Sequence, residues 1–186
     1  MLSALHPRFA QTRPRIRPQT PESNRQAIDP AHFRSVLAGY PTGVAVVTTV
    51  DGRQPAGMTV GTFTSISIDP PLVGFFADEG SRTLPKIVEF GAFTVNVLDH
   101  QNRSLCGAFS RPSADKFDGV EWTPSSTGCP ALAAASVSVD CTVDEVIAVG
   151  DHYLVVGRVQ ALERNSASGE PLIFHGGTFH TTEALS

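Results

Sequence analysis

The chain has 186 residues, of which 41% are hydrophobic and 17% charged, and its formal net charge is −4 at pH 7. These totals describe one globular domain with a real core and exclude a disordered chain. The acidic balance argues against a nucleic-acid binder, which needs cations for phosphates, and no apolar run approaches the about 18 residues of a membrane span.

Residues 1–28 differ from the rest. Arg8, Arg13, Arg15, Arg17 and Arg25 alternate with Pro7, Pro14, Pro18 and Pro21, with almost no apolar periodicity. An Arg-rich, acid-poor start is the composition of an organellar transit peptide, but the prolines break the amphipathic helix such a peptide forms. A flexible or surface-draped tail is expected here, and a folded domain over 29–186. The domain opens at Asp29-Pro30, a good N-cap followed by a good first helical residue. Phe33, Val36, Leu37 and Tyr40 then recur at helical spacing until Pro41 stops the helix.

Strands follow. Gly43–Val50 is β-branched and runs into Asp51-Gly52, a hairpin signal, with "PAGMTV" returning. "TSISI" alternates and stops at Asp69-Pro70-Pro71, and "LVGFFA" reads as a buried strand. "SRTLPKIVEF" reads as a short helix opened by Ser81 or Thr83. "AFTVNVL" is the next strand, and Asp99 caps a helix running toward Phe109. After a loop with Pro112, Gly119 and Pro124, "SVSVDCTV" alternates strictly. Val137, Val139, Cys141 and Val143 lie on one face; Ser136, Ser138, Asp140 and Thr142 lie on the other. "GDH" (150–152) breaks the run and "YLVVGRVQAL" returns, a hairpin with one buried face. "PLIFHGGTFH" ends the domain as a terminal strand. About seven short strands and two or three helices favour a mainly β fold, a closed antiparallel barrel with a few short helices, over a doubly wound sheet.

Side-chain chemistry is sparse. There is no GxSxG, HExxH, GxxxxGK[ST] or GxGxxG, so a nucleophile elbow, an intrinsic metal, a P-loop and a Rossmann site are not expected. His175 and His180, five apart on one strand, would face opposite sides, which is poor metal geometry. Cys106, Cys129 and Cys141 are odd in number and form no CxxC, so reduced, buried thiols in a cytoplasmic protein are expected. The unusual stretch is Gly57–Asp78. Thr59, Thr62, Thr64, Ser65 and Ser67 crowd its first half together with Gly57 and Gly61, and no charge appears before Asp69. Such a wall can hydrogen-bond a flat polar ligand through hydroxyls and backbone.

"YPTGVAVVTT", "GMTVGTFTSISIDPPLV", "SRTLPKI", "FTVNVL", "DKFDGVEW", "GDHYLVVGRV" and "PLIFHGGTF" occur in that order. Together they resemble the short-chain flavin reductase family, whose fold is the FMN-binding split barrel, over about Phe33 to Phe179. The resemblance implies reduction of FMN or FAD by NADH or NADPH, and supply of the reduced flavin by diffusion to a separate monooxygenase. It also implies a homodimer. By the same resemblance Met58, Thr59, Val60, Gly61, Thr62 and Ser65 line the isoalloxazine ring, and Thr42 lies near the ring or ribityl chain. Ser81, Arg82 and Thr83 meet the flavin phosphate. His152 meets the nicotinamide, with Phe174 and His175 completing that site. His175-Gly176-Gly177 stands where relatives often carry an arginine-glycine pair, which leaves the choice between NADH and NADPH open.

A flavin ring carries carbonyls, N3–H and N5 along its edge, each needing a partner once buried. Small hydroxyls and amides supply partners without filling the space, and Gly61 lets the backbone approach. Hydride transfer asks little of side chains, so no essential acid–base residue is expected, His152 being the nearest candidate. Asp115-Lys116-Phe117 either orders a loop over the flavin or forms an ion pair, and is given no catalytic role. Two other readings stay open: a pyridoxamine-phosphate-oxidase-like flavoprotein, and a non-enzymatic barrel that carries flavin or haem.

Overall fold

The structure, a computed structural model, describes residues 28–111, 113, 115–164 and 169–182; the tail expected over 1–28 falls, except for Ile28, outside the described residues. Helix α1 (Pro30–Leu37) starts as its sequence dictates, with Asp29 Oδ2 accepting from the His32 amide at 2.8 Å. Its apolar stripe is nevertheless exposed: Phe33 is 53%, Val36 59% and Tyr40 72% accessible. The strand expected over 43–50 is split. Strand β1 (Thr42–Gly43) belongs to a small sheet, and β2 (Ala45–Asp51) turns at Gly52, φ 63°, into β3 (Gln54–Val60). Strands β4 (Thr64–Ser67) and β5 (Leu72–Asp78) follow, then α2 (Leu84–Phe90) and β6 (Ala92–Val97).

Asp99 does cap the next helical segment. Its Oδ1 accepts from the Asn102 amide at 3.1 Å, opening a 3-10 turn (His100–Asn102) that leads into α3 (Arg103–Ser110). The loop expected next contains a two-stranded sheet of β7 (Trp122–Pro124) and β8 (Pro130–Leu132). Strands β9 (Val137–Val149) and β10 (His152–Arg164) then form a ribbon of 13 residues each. The terminal strand is in fact a hairpin of β11 (Ile173–His175) and β12 (Thr178–His180), turning at Gly176 and Gly177, φ 58° and 82°. Among the described residues no helix is long and apolar enough to cross a membrane.

The expectation of a closed barrel is not met. The main sheet is open, with seven antiparallel strands in the order β3-β2-β6-β9-β10-β5-β4; β1, β11 and β12 form a separate sheet. Edge strands β3 and β4 are consecutive in sequence but do not pair. Between them the chain is tied to β5 at Thr62. Its Oγ1 accepts from the Phe76 amide at 2.9 Å and donates to the Phe76 carbonyl at 3.3 Å. One side chain thus satisfies the β5 backbone just past the end of the β4 ladder, at Thr64↔Gly74. On the other edge, the outward Gly57 carbonyl of β3 is taken by Thr83 Oγ1 and Lys116 Nζ, so side chains and not a strand meet both edges.

The sheet carries a core on each face. One face gathers Val47, Val60, Phe75, Ile87, Phe93, Val95, Val139, Cys141 and Val155. The other gathers Val44, Val46, Leu98, Phe109, Leu132 and Leu172 beneath α3 and the β7–β8 sheet. The second cover overturns the reading of the β9 hairpin as buried on one face only. Asp140 is 4% accessible. It accepts from the hydroxyls of Thr94, Ser125, Ser126 and Thr127 and from the Thr127 amide. Asn96, fully buried, likewise donates to the Val46 carbonyl and accepts from the Leu132 amide. Glycine lets one packed ring in: a Cβ on Gly157 would lie 2.3 Å from the Phe93 ring.

Candidate functional site

The outer edge of β3 is the region the expected flavin residues share. β3 pairs only with β2, in regular register from Ala45↔Val60 to Asp51↔Gln54. The Gly57 carbonyl faces away from β2, because it accepts from Thr83 Oγ1 at 3.1 Å and Lys116 Nζ at 3.0 Å. In an antiparallel strand alternate residues direct both backbone groups to the same side. The Thr59 amide and carbonyl therefore lie on this open edge too, and neither has a protein partner among the described residues. Beyond them the chain from Gly61 to Ile66 is exposed apart from half-buried Phe63.

Most of the hydroxyls expected to face a ligand are engaged within the protein. Thr59 Oγ1 donates to the Cys106 carbonyl of α3 at 3.0 Å, and Thr62 holds Phe76. Thr64 Oγ1 donates to the Ser65 carbonyl. The side chains of Met58 and Val60 turn into the core. What this stretch presents outward is backbone, at Thr59 and around Gly61, with Ser65 exposed beyond it. Gly61 is close to Thr42: a Cβ there would come within 3.0 Å of Thr42 Oγ1. Thr42 in turn pairs with Phe174, and Phe174 packs on Phe179 with ring centroids 5.3 Å apart. Thr42, Gly61 and Phe174 are thereby brought together.

Ser81, Arg82 and Thr83 lie at the other end of the same edge. Ser81, not Thr83, caps α2, its Oγ accepting from the amides of Thr83 and Leu84 at 3.3 and 3.2 Å. Ser81 also reaches Met58, with Oγ donating to Sδ at 3.2 Å. Thr83 is buried, its hydroxyl spent on Gly57. The Thr83, Leu84 and Ile87 amides are thus bonded internally, and the groups left for an anion are chiefly cationic: exposed Arg82, with Lys86 and Lys116 nearby. Lys116 also donates to the Phe109 carbonyl at 2.9 Å, which ties the loop after α3 to β3 and makes no ion pair with Asp115. Burial, then the charges of Lys86 and Arg82, hold its ammonium below the usual lysine range. The sequence offered Asp115-Lys116-Phe117 either as ordering a loop over the flavin or as an ion pair, and gave no sign that Lys116 bonds the β3 backbone.

His152 starts β10, opposite Asp78 at the end of β5, and its Nδ1 lies 2.8 Å from Asp151 Oδ1. The hydrogen bond from His152 and the Asp151 backbone hold the exposed Asp151 carboxyl below its ordinary range. The Ser81 amide donates to the Asp78 carbonyl at 3.0 Å, which joins the His152 end to the Ser81 loop. Phe174 and His175 lie in the small sheet; no hydrogen bond or ring contact among the described residues joins them to His152. His175 and His180, expected on opposite sides of one strand, face each other across the β11–β12 hairpin with ring centroids 5.7 Å apart. No group of three or more metal-ligating side chains occurs among the described residues. A separate cleft of about 490 Å³ lies between α3 and β12, lined by Arg103, Ser104, Gly107, Ala108, Arg111 and Phe179. The three cysteines are free and buried, and burial pushes the Cys129 thiol up to about 11 and that of Cys141 up to about 12.

An uncharged open strand edge beside a glycine, with cations at one end, has the donor set of a flavin nucleotide site: neutral groups for the ring, positive ones for phosphate. Nothing in it suits a metal. Comparison with known proteins agrees with that class. The flavin reductase like domain family matches residues 37–183. A flavin reductase of Pseudomonas putida is 43% identical over 154 residues, 82% of this chain and 91% of the relative. HsaB of Rhodococcus jostii, the reductase subunit of a flavin-dependent monooxygenase, is 38% identical over 83% of this chain and 78% of its own. Among solved structures, nitrilotriacetate monooxygenase component B from Mycobacterium thermoresistibile superposes with a TM-score of 0.80 at 36% identity, covering 82% of this chain and 86% of that one. The styrene monooxygenase flavin reductase of Pseudomonas putida gives 0.76 at 30% identity, over 83% and 99%.

The chain belongs to the flavin reductase-like domain family. It is an enzyme, a flavin reductase that uses FMN or FAD and takes its hydride from NADH or NADPH. The oxidase and carrier readings are set aside.

Proposed function

We propose that the open β3 edge is the flavin-binding site of this NAD(P)H:flavin oxidoreductase, and that the reduced flavin diffuses to a separate monooxygenase. The observation that carries the site is the unpartnered backbone of Thr59 beside Gly61, between Thr42 at one end and the cations of the Ser81–Thr83 loop at the other. A bound flavin supplies the hydride acceptor; the chain binds and orients it. Thr59 and the exposed residues to Ser65 offer backbone donors and acceptors to the polar edge of the ring, and such fixed dipoles stabilise charge that develops on reduction. Met58 and Val60 anchor the strand from the core side. Arg82 meets the phosphate, with Ser81 and Thr83 shaping the loop that presents it. His152 meets the nicotinamide, its ring oriented by Asp151, with Phe174 and His175 approaching from the small sheet.

The exposed stripe of α1 supports a homodimer. Phe33, Val36, Leu37 and Tyr40 are all more than half accessible in one chain. An amphipathic helix with an uncovered apolar face gains most from a second copy. Free, buried cysteines support a reducing, cytoplasmic location.

Anaerobic mixing of the protein with NADH and FMN tests the enzyme, with prompt loss of the flavin absorbance expected. The site is tested by His152→Ala. We expect KM for NADH to rise about tenfold, roughly 1.4 kcal/mol, with flavin affinity unchanged. Unaltered kinetics would remove His152 from the site.

A further inference from the structure

The cations at the Ser81–Thr83 end of the open edge lead to one residue more, on the basis of the flavin site proposed above. Lys116 is half-buried and comes from the loop after α3. Its Nζ donates to two carbonyls, Gly57 at 3.0 Å and Phe109 at 2.9 Å. An ammonium has three N–H donors, so one remains, and it has no partner among the described residues. No carboxylate neutralises the group: among the described residues Lys86 pairs with Asp51 and Arg158 with Asp144, and Asp151 takes His152. Arg82 has no carboxylate partner among the described residues either. Arg82, Lys86 and Lys116 thus lie toward one end of the edge, and of the three only Lys86 has a carboxylate partner among the described residues, Asp51 at 2.9 Å. Their mutual repulsion is felt at Lys116, whose ammonium burial, Lys86 and Arg82 all disfavour. The Gly57 carbonyl that anchors Lys116 also takes the Thr83 hydroxyl, so the lysine is fixed to the very loop that carries Arg82.

We propose that Lys116 is a binding residue for the phosphate of the flavin nucleotide, its third N–H and its charge acting with Arg82, and that it makes the site prefer FMN or FAD to the bare ring of riboflavin. Two of its bonds hold the loop; the third is kept for the anion. A lysine that merely clamps the loop would support ring and phosphate alike.

The test compares the affinities of the full-length protein for FMN and riboflavin, read from quenching of flavin fluorescence, in wild type, Lys116→Gln and Lys116→Arg. Lys116→Gln should weaken FMN about tenfold and riboflavin less than about twofold, while Lys116→Arg keeps FMN within about threefold. In wild type, raising the salt concentration should weaken FMN and leave riboflavin unchanged, a reading that needs no variant to fold. Equal losses for both ligands in Lys116→Gln, or no loss for either, would overturn the proposal. So would a wild type that binds riboflavin as tightly as FMN, and that result would leave the ring site standing. A wild type that binds neither flavin would refute the site itself, and Lys116's role with it.

Discussion

The β9–β10 ribbon and the β3–β4 edge are built from the same materials, β-branched residues alternating with serine and threonine, yet they reach opposite states. Over Val137–Thr142, β9 has a strand on each side, β6 and β10. Its polar face is covered, and the hydroxyls of Thr94, Ser125, Ser126 and Thr127 converge on one buried carboxylate, Asp140. β3 has one neighbour, and side chains rather than a strand meet the groups around its far side: Thr83 and Lys116 take the Gly57 carbonyl, Thr62 holds the β5 backbone and Thr59 holds α3. In the ribbon the short polar side chains close the structure. At the edge they bond to other elements, and the Thr59 backbone is left without a partner among the described residues. The difference is one of neighbours, because the same hydroxyl chemistry serves both ends.

Asp140 is where the ribbon breaks most easily. Asp140→Ala should cost about 3 kcal/mol or more, since a buried carboxylate and the donors around it lose one another, measured as a fall in the urea midpoint. Flavin affinity should change little. The same group makes stability depend on pH. Burial works to raise its pKa, but the hydrogen bonds from Ser126, Thr127 and Ser125 win and hold it below its ordinary value. A carboxyl depressed in the folded state contributes stability above its unfolded pKa and loses it as pH falls through the folded one. Denaturation curves should therefore weaken on acidification below the ordinary carboxylate range, and Asp140→Ala should flatten that dependence.

Gly157→Ala comes next, at about 1–3 kcal/mol from overpacking against the Phe93 ring, again without effect on flavin. Thr62→Val sharpens the comparison from the other side. It deletes both bonds to Phe76 at a cost of about 1–2 kcal/mol. Hydrogen exchange at the Phe76 amide should quicken, and flavin binding should weaken as the edge loses its shape. The smallest effect belongs to Thr59→Val. If the site is backbone, losing the hydroxyl loosens α3 but changes flavin affinity by less than about twofold, within the ±0.5 kcal/mol of a neutral substitution. A tenfold loss would put the hydroxyl, not the edge, against the ring.

Much of this was legible from local chemistry. Asp29-Pro30 announced α1, Asp51-Gly52 the first hairpin, Asp99 the turn before α3, and Gly150 the break between the long strands. These signals act over a few residues, so a sequence carries them openly. The errors have one cause, contacts between distant segments. The outer side of β3 meets Thr83 and Lys116, 26 and 59 residues from Gly57, and the buried Asp140 depends on a loop 13 to 15 residues away. The terminal hairpin was hidden because "HGG" reads as an interruption until two positive φ values make it a turn. At the site, the motifs singled out Met58–Ser65 and credited hydroxyls and backbone alike, whereas the hydroxyls of Thr59, Thr62 and Thr64 are engaged within the protein. Backbone direction depends on strand pairing, which no residue type reveals.

Amide hydrogen exchange of the full-length protein, with and without saturating FMN, tests the central claim most directly. Slowed exchange at Thr59 and through Gly61–Ser65, with β9 and β10 unchanged, is the predicted result. Protection confined to the cleft between α3 and β12, with the β3 edge exchanging as before, would contradict it.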